Sequence, residues 1–526
     1  QARTAPCLLS TPTCLSLSMT TDSLYGLLCA GAADALAVTA PGRPGLTFGA
    51  LREHINATLA KLNGLGIGRN DRVAIVVNNG PEMATAFMAC ACGVASAPLN
   101  PAYRADEFEF YLSDLNAKAL LVERGSTSPA IEVAMKLGVR VLELVVPEGA
   151  GAGAVTLEPR DGADAAPAAS PTYAQPDDVS MVLHTSGTTS RPKIVPLSQR
   201  NLCASARNIA NTLQFTARDR GLNVIPLFHI HGLIAGVLAP LSAGSQVFCT
   251  PGFNALKFFA WMDEAHPTWY TAVPTMHQAI ISRAKGNAEV IARHPLRFMR
   301  SSSSSMPPQV IAELESIFGA PLIEAYGMTE ATHQMASNPL PPRVRKPGSV
   351  GLAAGPEVAI MSEDGQLLPA GSIGEIVIRG ANVTTGYENN AKANAEAFTN
   401  GWFRTGDQGQ MDADGYVSLT GRLKEIINRG GEKISPREVD GLMMDHPAVA
   451  QVVTFGMPHP KLGEEVAAAV VLREGATLTE RELRAFIGTR VADFKVPKKI
   501  LFMAEIPKGA TGKLQRIGLA QKLGLG

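Results

Sequence analysis

The 526-residue sequence has no excess of charge in either direction: 47 lysines and arginines stand against 47 aspartates and glutamates. Proteins that grip nucleic-acid phosphates carry a basic surplus, so this balance argues against nucleic acid as the main partner. Cysteine is sparse. The seven are scattered, and apart from Cys90 and Cys92 no two lie close, which gives neither a disulfide framework nor a zinc-ligand spacing. Reduced thiols are the expectation. Long apolar runs are missing as well. The most apolar stretches, 83–99 and 222–243, are broken by Gly, Pro and His or built largely from small residues, so no membrane span is expected. There is no internal repeat. The final Leu523-Gly-Leu-Gly526 is not the Ser-Lys-Leu peroxisomal address, which leaves the cytoplasm as the expected compartment.

What is there describes a globular protein with large cores: 46% of residues are hydrophobic and 18% charged. A single core stops growing near ~250–300 residues, so more than one domain is expected. Residues 1–18 carry Arg3 as their only charge and are read as upstream of the fold or disordered, with Met19 as the expected start. Leu51, Ile55, Leu59 and Leu62 recur at helical spacing, and 72–77 is a β-branched run behind the turn signal Gly68-Arg-Asn-Asp71. Helix-like segments 81–93 and 105–115 and the apolar run 119–122 follow, an alternation that predicts βαβ units and a largely parallel sheet. The Ala-, Gly- and Pro-rich stretch 147–176 reads as a linker. A second alternating block spans 179–323. Beyond Gly348, turn signals such as Asp364-Gly and Asp414-Gly predict antiparallel sheet or a small barrel. After Gly421 helix and strand mix again, with Gly430-Gly431 and Pro436 near a boundary.

The chemistry gathers in a few stretches. His184-Thr-Ser-Gly-Thr-Thr-Ser-Arg-Pro-Lys193 directly follows the apolar strand candidate 179–183. Small hydroxyl residues and Gly let backbone N–H groups approach a phosphate, and Lys193 adds a point charge. It is not a Walker A loop, because the G-x-x-x-x-G-K-[ST] spacing is absent. Alone it reads equally well as a Ser/Thr-rich surface loop. Four further stretches accompany it: Glu324-Ala-Tyr-Gly-Met-Thr-Glu330, Gly401-Trp-Phe-Arg-Thr-Gly-Asp407, Gly421-Arg-Leu-Lys-Glu-Ile-Ile-Asn-Arg-Gly-Gly431 and Pro507-Lys-Gly-Ala-Thr-Gly-Lys-Leu-Gln-Arg516.

In this order, these five stretches resemble the adenylate-forming superfamily of acyl-CoA synthetases, adenylation domains and luciferases, from about Leu24 to Gln515. The resemblance implies an α/β fold. A large N-terminal domain (19–421) would hold two stacked βαβ-type subdomains and a small β-barrel subdomain, followed by a small mobile α+β C-terminal domain (422–526). It implies an acid–thiol ligase that uses ATP, Mg²⁺ and coenzyme A and passes through an acyl-adenylate, as a monomer or homodimer. Thr185, Ser186, Gly187, Thr188, Thr189 and Lys193 would hold the nucleotide phosphates. Glu330 would bind Mg²⁺, a hard cation suited to carboxylate oxygen. Thr329 would donate to the α-phosphate, Tyr326 would lie against adenine, and Asp407 with Arg422 would take the ribose. Lys513 is the implied catalytic lysine, and Lys424 the hinge about which the C-terminal domain turns to bring Gly430 and Gly431 to CoA. Ser190 and Ile194 depart from the family's glycines, and the β-branched Ile194 stands where close backbone approach is common.

The acyl pocket narrows the substrate. His229 matches the family's histidine near the acyl carboxylate. His231, Ser303 and His333 put polar groups where ligases for apolar acids keep small or aromatic ones. A long chain or aromatic ring would bury these groups without partners, at about 1–3 kcal/mol each. A short diacid would satisfy them, and the combination resembles the oxalyl-CoA synthetases of plants and fungi. The alternatives within the superfamily are a 4-coumarate-like or medium-chain acyl-CoA ligase, a carrier-loading adenylation domain and a luciferase-like oxygenase. A nucleotide-binding regulator without turnover is the alternative from another class. It is favoured by Ile194 and opposed by Glu330, Asp407 and Lys513.

Overall fold

Thr47 accepts a hydrogen bond from the Ala50 N–H and so caps the helix Phe48–Gly64, whose apolar stripe Leu51, Ile55, Leu59 and Leu62 is buried. That helix and the next, Pro81–Ala91, pack on a seven-stranded sheet. Its order is Thr156–Pro159, Arg140–Val145, Ala119–Glu123, Arg72–Val76, Ala95–Pro98, Val179–His184 and Ile194–Ser198, parallel inside and antiparallel at both edges. The architecture comes from a computed structural model that describes residues 22–162, 165–168, 172–185, 192–508 and 514–526.

One edge departs from the sequence reading. The stretch taken as a linker contributes Thr156–Pro159, which buries Leu157 against Arg140–Val145. A four-residue edge strand with one buried apolar side chain leaves too little alternation to be recognised.

The second alternating block builds a nine-stranded sheet. Its order is Leu352–Ala353, His333–Ser337, Leu322–Met328, Phe298–Ser301, Trp269–Ala272, Arg220–Asn223, Gln246–Cys249, Leu36–Thr39 and Leu46–Thr47. From Leu322–Met328 to Leu36–Thr39 all neighbours run parallel. Strand order reverses around Arg220–Asn223, and ligand crevices form outside the carboxyl ends of strands at such a switch point.

Beyond it lies a five-stranded antiparallel sheet. Ile373–Arg379 and Val417–Arg422 both flank Trp402–Met411, and a bridge from Gly351 to Val417 joins this sheet to the nine-stranded one. The last sheet holds Ile427–Arg429, Glu432–Ile434, Val449–His459, Gly463–Leu472 and Lys499–Phe502, with the helix Pro436–Met444 packed on it. One apolar cluster contains Val310, Ile311 and Leu314 as well as Val439 and Met443, so this last unit rests on the helix Pro308–Phe318. Gln451 Nε2 donates to Gln278 Oε1 across the same junction at 3.3 Å.

No helix among the described residues is long and apolar enough to cross a membrane. Cys90, Cys92, Cys203 and Cys249 are free and buried.

Candidate active site

Residues from four of the motif stretches meet beyond the carboxyl ends of the two parallel sheets. The strand Val179–His184 ends at Thr185, whose N–H donates to the Lys193 carbonyl at 2.9 Å while its Oγ1 accepts from the Lys193 N–H at 3.1 Å. These two bonds pin the ends of the Ser/Thr-rich loop together. Ser186, Gly187, Thr188 and Thr189 lie outside the described residues, as does Lys513. Ile194 begins the next strand, pairs with His184 and buries its side chain beside Val182. Its β-branched side chain therefore suits its strand backbone.

The strand Leu322–Met328 runs into a one-turn helix, Thr329–Ala331, closed by Thr332 in the left-handed conformation (φ 51°). This turn buries Glu330. Burial pushes its carboxyl above the usual range, and the Tyr387 hydroxyl, then the charges of Lys193 and Arg422, oppose that shift. The Tyr387 OH donates to Glu330 Oε1 at 2.8 Å, and the Lys193 ammonium stands 4.5 Å from the centroid of the same ring. Thr329 is half-buried at the start of the turn.

Asp407 lies in Trp402–Met411, where a bulge at residues 405–407 uses Gly406 with φ 74°. There it accepts from the Tyr326 OH at 2.5 Å and pairs with Arg422 Nε at 3.3 Å. Burial and the neighbouring Asp407 charge raise the Tyr326 hydroxyl well above its ordinary range. Arg437, from the last sheet's helix, was not singled out in the sequence. Burial pushes its guanidinium down against the pull of Asp407, and Nη1 is buried without a partner among the described residues.

Lys424 is exposed on the connection between Val417–Arg422 and Ile427–Arg429. Gly430 and Gly431 (φ 59° and 100°) form the two-residue turn of the hairpin that pairs Arg429 with Glu432. Both glycines are exposed.

Three of the expected acyl-pocket residues, His231, Ser303 and His333, converge. Phe228 and His229 precede a π-helix, His231–Leu238, an uncommon element that recurs at functional sites. His231 Nδ1 lies 3.1 Å from Ser303 Oγ, Nε2 lies 2.7 Å from Thr271 Oγ1, and the His231 ring stacks on His333 at 4.9 Å. Ser303 and His333 have φ of 74° and 95°, backbone strain of the kind that clusters at ligand sites.

At the centre stands Arg300, which sequence reasoning passed over. Its side chain is fully buried at the end of Phe298–Ser301, with Nη1 3.3 Å from His231 Nε2 and Nη2 3.0 Å from His333 Nε2. No carboxylate pairs with it among the described residues, and Nε and the hydroxyls of buried Ser301 and Ser302 have no partner there. Burial lowers the guanidinium to about 9. The available signal was an arginine inside the apolar strand run Phe298-Met-Arg-Ser, where a charge needs a reason to be.

Relatives place this geometry. The model of the AMP-binding enzyme family matches residues 29–388, and that of the AMP-binding enzyme C-terminal domain matches 438–513. The chain belongs to the AMP-binding enzyme family. It is 46% identical over 512 residues to an oxalate–CoA ligase of Arabidopsis thaliana, covering 96% of this chain and 99% of that protein. It is 43% identical to an oxalate–CoA ligase of Saccharomyces cerevisiae, covering 86% and 87%. The crystal structure of ATP-bound MatB from Rhodopseudomonas palustris superposes with a TM-score of 0.85 at 30% identity, over 95% of this chain and 98% of that one. This family member is an AMP-forming acyl-CoA ligase that acts on a carboxylic acid, ATP and CoA.

Proposed function

We propose that the acid is oxalate and that the reaction depends on Mg²⁺. The carrying observation is Arg300, a buried guanidinium with no acidic partner among the described residues, set against the imidazoles of His231 and His333, the Thr271 hydroxyl and the Gln334 amide oxygen. A buried charge without an opposite charge is costly, and an anionic ligand removes that deficit by accepting from the guanidinium. A monocarboxylate spends its single carboxylate on the reaction. A short diacid presents one carboxylate for activation and a second to Arg300, His231, Ser303 and His333. The oxalate–CoA ligase names of the plant and yeast relatives support the same reading.

In this proposal Thr185, Ser186, Gly187, Thr188, Thr189 and Lys193 hold the ATP phosphates. Tyr326 lies against adenine, while Asp407 and Arg422 take the ribose. Among the described residues no cluster of three His, Cys, Asp or Glu side chains forms a dedicated metal cage. One buried carboxylate, Glu330, fits a metal that arrives on the nucleotide phosphates, the usual habit of Mg²⁺. When bound, Mg²⁺ neutralises phosphate charge. His229 and Thr329 orient the acid and the α-phosphate. One acid oxygen forms a bond to the α-phosphorus as the bond from that phosphorus to the bridging oxygen breaks, and pyrophosphate leaves with Lys513 meeting its developing charge. The C-terminal domain (422–526) then turns about Lys424. The thiol sulfur of CoA, led past Gly430 and Gly431, attacks the acyl carbon, a C–S bond replaces the C–O bond to AMP, and the thiol proton is lost.

CoA-dependent pyrophosphate release with ATP and Mg²⁺ across oxalate, malonate, acetate, octanoate and 4-coumarate tests the assignment. Preference for oxalate is the expected result, and preference for octanoate or 4-coumarate overturns the diacid reading.

A further inference from the structure

We propose that Tyr387 is a positioning residue that keeps the phosphate lysine and the metal carboxylate apart and aimed. The proposal rests on the reading that Lys193 meets nucleotide phosphate and Glu330 holds Mg²⁺. One buried side chain touches both: its hydroxyl donates to Glu330 Oε1 at 2.8 Å and its ring face carries the Lys193 ammonium at 4.5 Å. Lys193 and Glu330 are near enough for their charges to interact, yet no ion pair joins them. Left to each other they would neutralise, and neither would be available to an anion or a cation. The ring supplies the ammonium with a π-face in place of the carboxylate, an attraction of about 0.5–2 kcal/mol. The hydroxyl fixes one carboxylate oxygen, which orients the plane of the other.

The backbone holds Tyr387 in place on both sides. Asn394 accepts from the Tyr387 N–H at 2.7 Å and returns its amide to the Tyr387 carbonyl at 2.8 Å. Gly386 has φ 144°, and a Cβ there would lie 2.9 Å from Asn394 Oδ1, so only glycine lets that bracket close. The Glu388 N–H donates to the Ile194 carbonyl at 3.1 Å, one residue beyond Lys193, and the Thr384 N–H to the Glu330 carbonyl at 2.7 Å. The segment is thus bonded to the two backbones whose side chains it separates.

The two functions separate by substitution. Tyr387→Phe keeps the ring and deletes the hydroxyl, and Tyr387→Leu removes both. Binding of Mn²⁺ with α,β-methylene-ATP is read by electron paramagnetic resonance and by calorimetry, without turnover, alongside Glu330→Gln. Loss of a partner behind a metal ligand lowers metal affinity ~10–100-fold, so Tyr387→Phe should weaken Mn²⁺ at least tenfold and leave nucleotide affinity at saturating Mn²⁺ unchanged. Tyr387→Leu should weaken both. Wild-type Mn²⁺ binding by Tyr387→Phe, with Mn²⁺ lost in Glu330→Gln, overturns the positioning role alone. Mn²⁺ retained by Glu330→Gln overturns the metal reading and this proposal with it. If Tyr387→Leu does not fold, Tyr387→Phe decides the hydroxyl, and Lys193→Met on the Phe background decides the ring. A nucleotide affinity unchanged by that second substitution overturns the ring's role.

Discussion

In the proposed reading, one residue, Arg300, sets the selectivity of the site. Its guanidinium is fully buried, and among the described residues its neighbours are imidazoles, a hydroxyl and an amide rather than acids. A hydrogen bond to a charged group contributes about 1.5–3 kcal/mol, so Arg300→Leu is expected to lower kcat/KM for oxalate by roughly 10–150-fold. Acetate, with no second carboxylate, should lose far less. A parallel loss for both acids in steady-state assays defeats the second-carboxylate role. The same residue predicts a pH limb. Burial lowers the guanidinium to about 9, and only the protonated form attracts a carboxylate. Because kcat/KM reports the free enzyme, its value for oxalate should fall as pH rises through about 9. A profile flat to pH 10 means that the guanidinium stays protonated there, and the Arg300→Leu comparison then decides its role.

At the scale of elements, the sequence was most legible where a pattern repeats. The helices Phe48–Gly64, Pro81–Ala91 and Ala105–Leu115 follow from apolar spacing and end signals within one to a few residues. His231, Ser303 and His333 were legible as polar replacements in ordered motifs, and the structure brings them to one pocket. The π-helix His231–Leu238 and the positive φ of Ser303 and His333 were not, because tertiary contacts impose them against local preference. Arg300 was hidden by its neighbours: a lone charge between Met299 and Ser301 has no period. Two histidines buried in such elements make acid stability testable. Burial holds His54, on Phe48–Gly64, and His277, on Pro274–Ala284, at about 4 against an ordinary 6.5. Above pH 6.5 both states are neutral and stability is indifferent to these groups. Between 6.5 and about 4 the unfolded chain takes up the proton first, so stability falls with pH, by up to roughly 3 kcal/mol per histidine. Thermal melting should record that fall in the wild type and a shallower one in His54→Leu. Equal slopes show that His54 does not contribute.

For the whole molecule, the question is how one crevice serves two reactions. Lys193 directly precedes a strand of the seven-stranded sheet, Glu330 follows a strand of the nine-stranded one and Asp407 lies in the antiparallel one, so in the proposed reading the nucleotide groups stand on walls from three sheets. The Gly430-Gly431 turn sits on the last sheet, which touches those walls through polar contacts such as Gln451 to Gln278 and through the cluster around Val310 and Val439. Between walls and sheet runs a short connection with exposed Lys424. If the sheet must turn there after adenylation, backbone freedom at that residue matters to the second half-reaction and not to the first. Proline fixes φ near −65° and removes an N–H, so Lys424→Pro restricts rotation without touching nucleotide or acid. Single-turnover pyrophosphate release by Lys424→Pro should stay within about twofold of wild type, while acyl transfer from the enzyme-bound adenylate to CoA slows at least tenfold, about 1.4 kcal/mol on that barrier. Slowing of both steps together would mean that the connection acts through stability, and slowing of neither would place the turning point elsewhere in the chain.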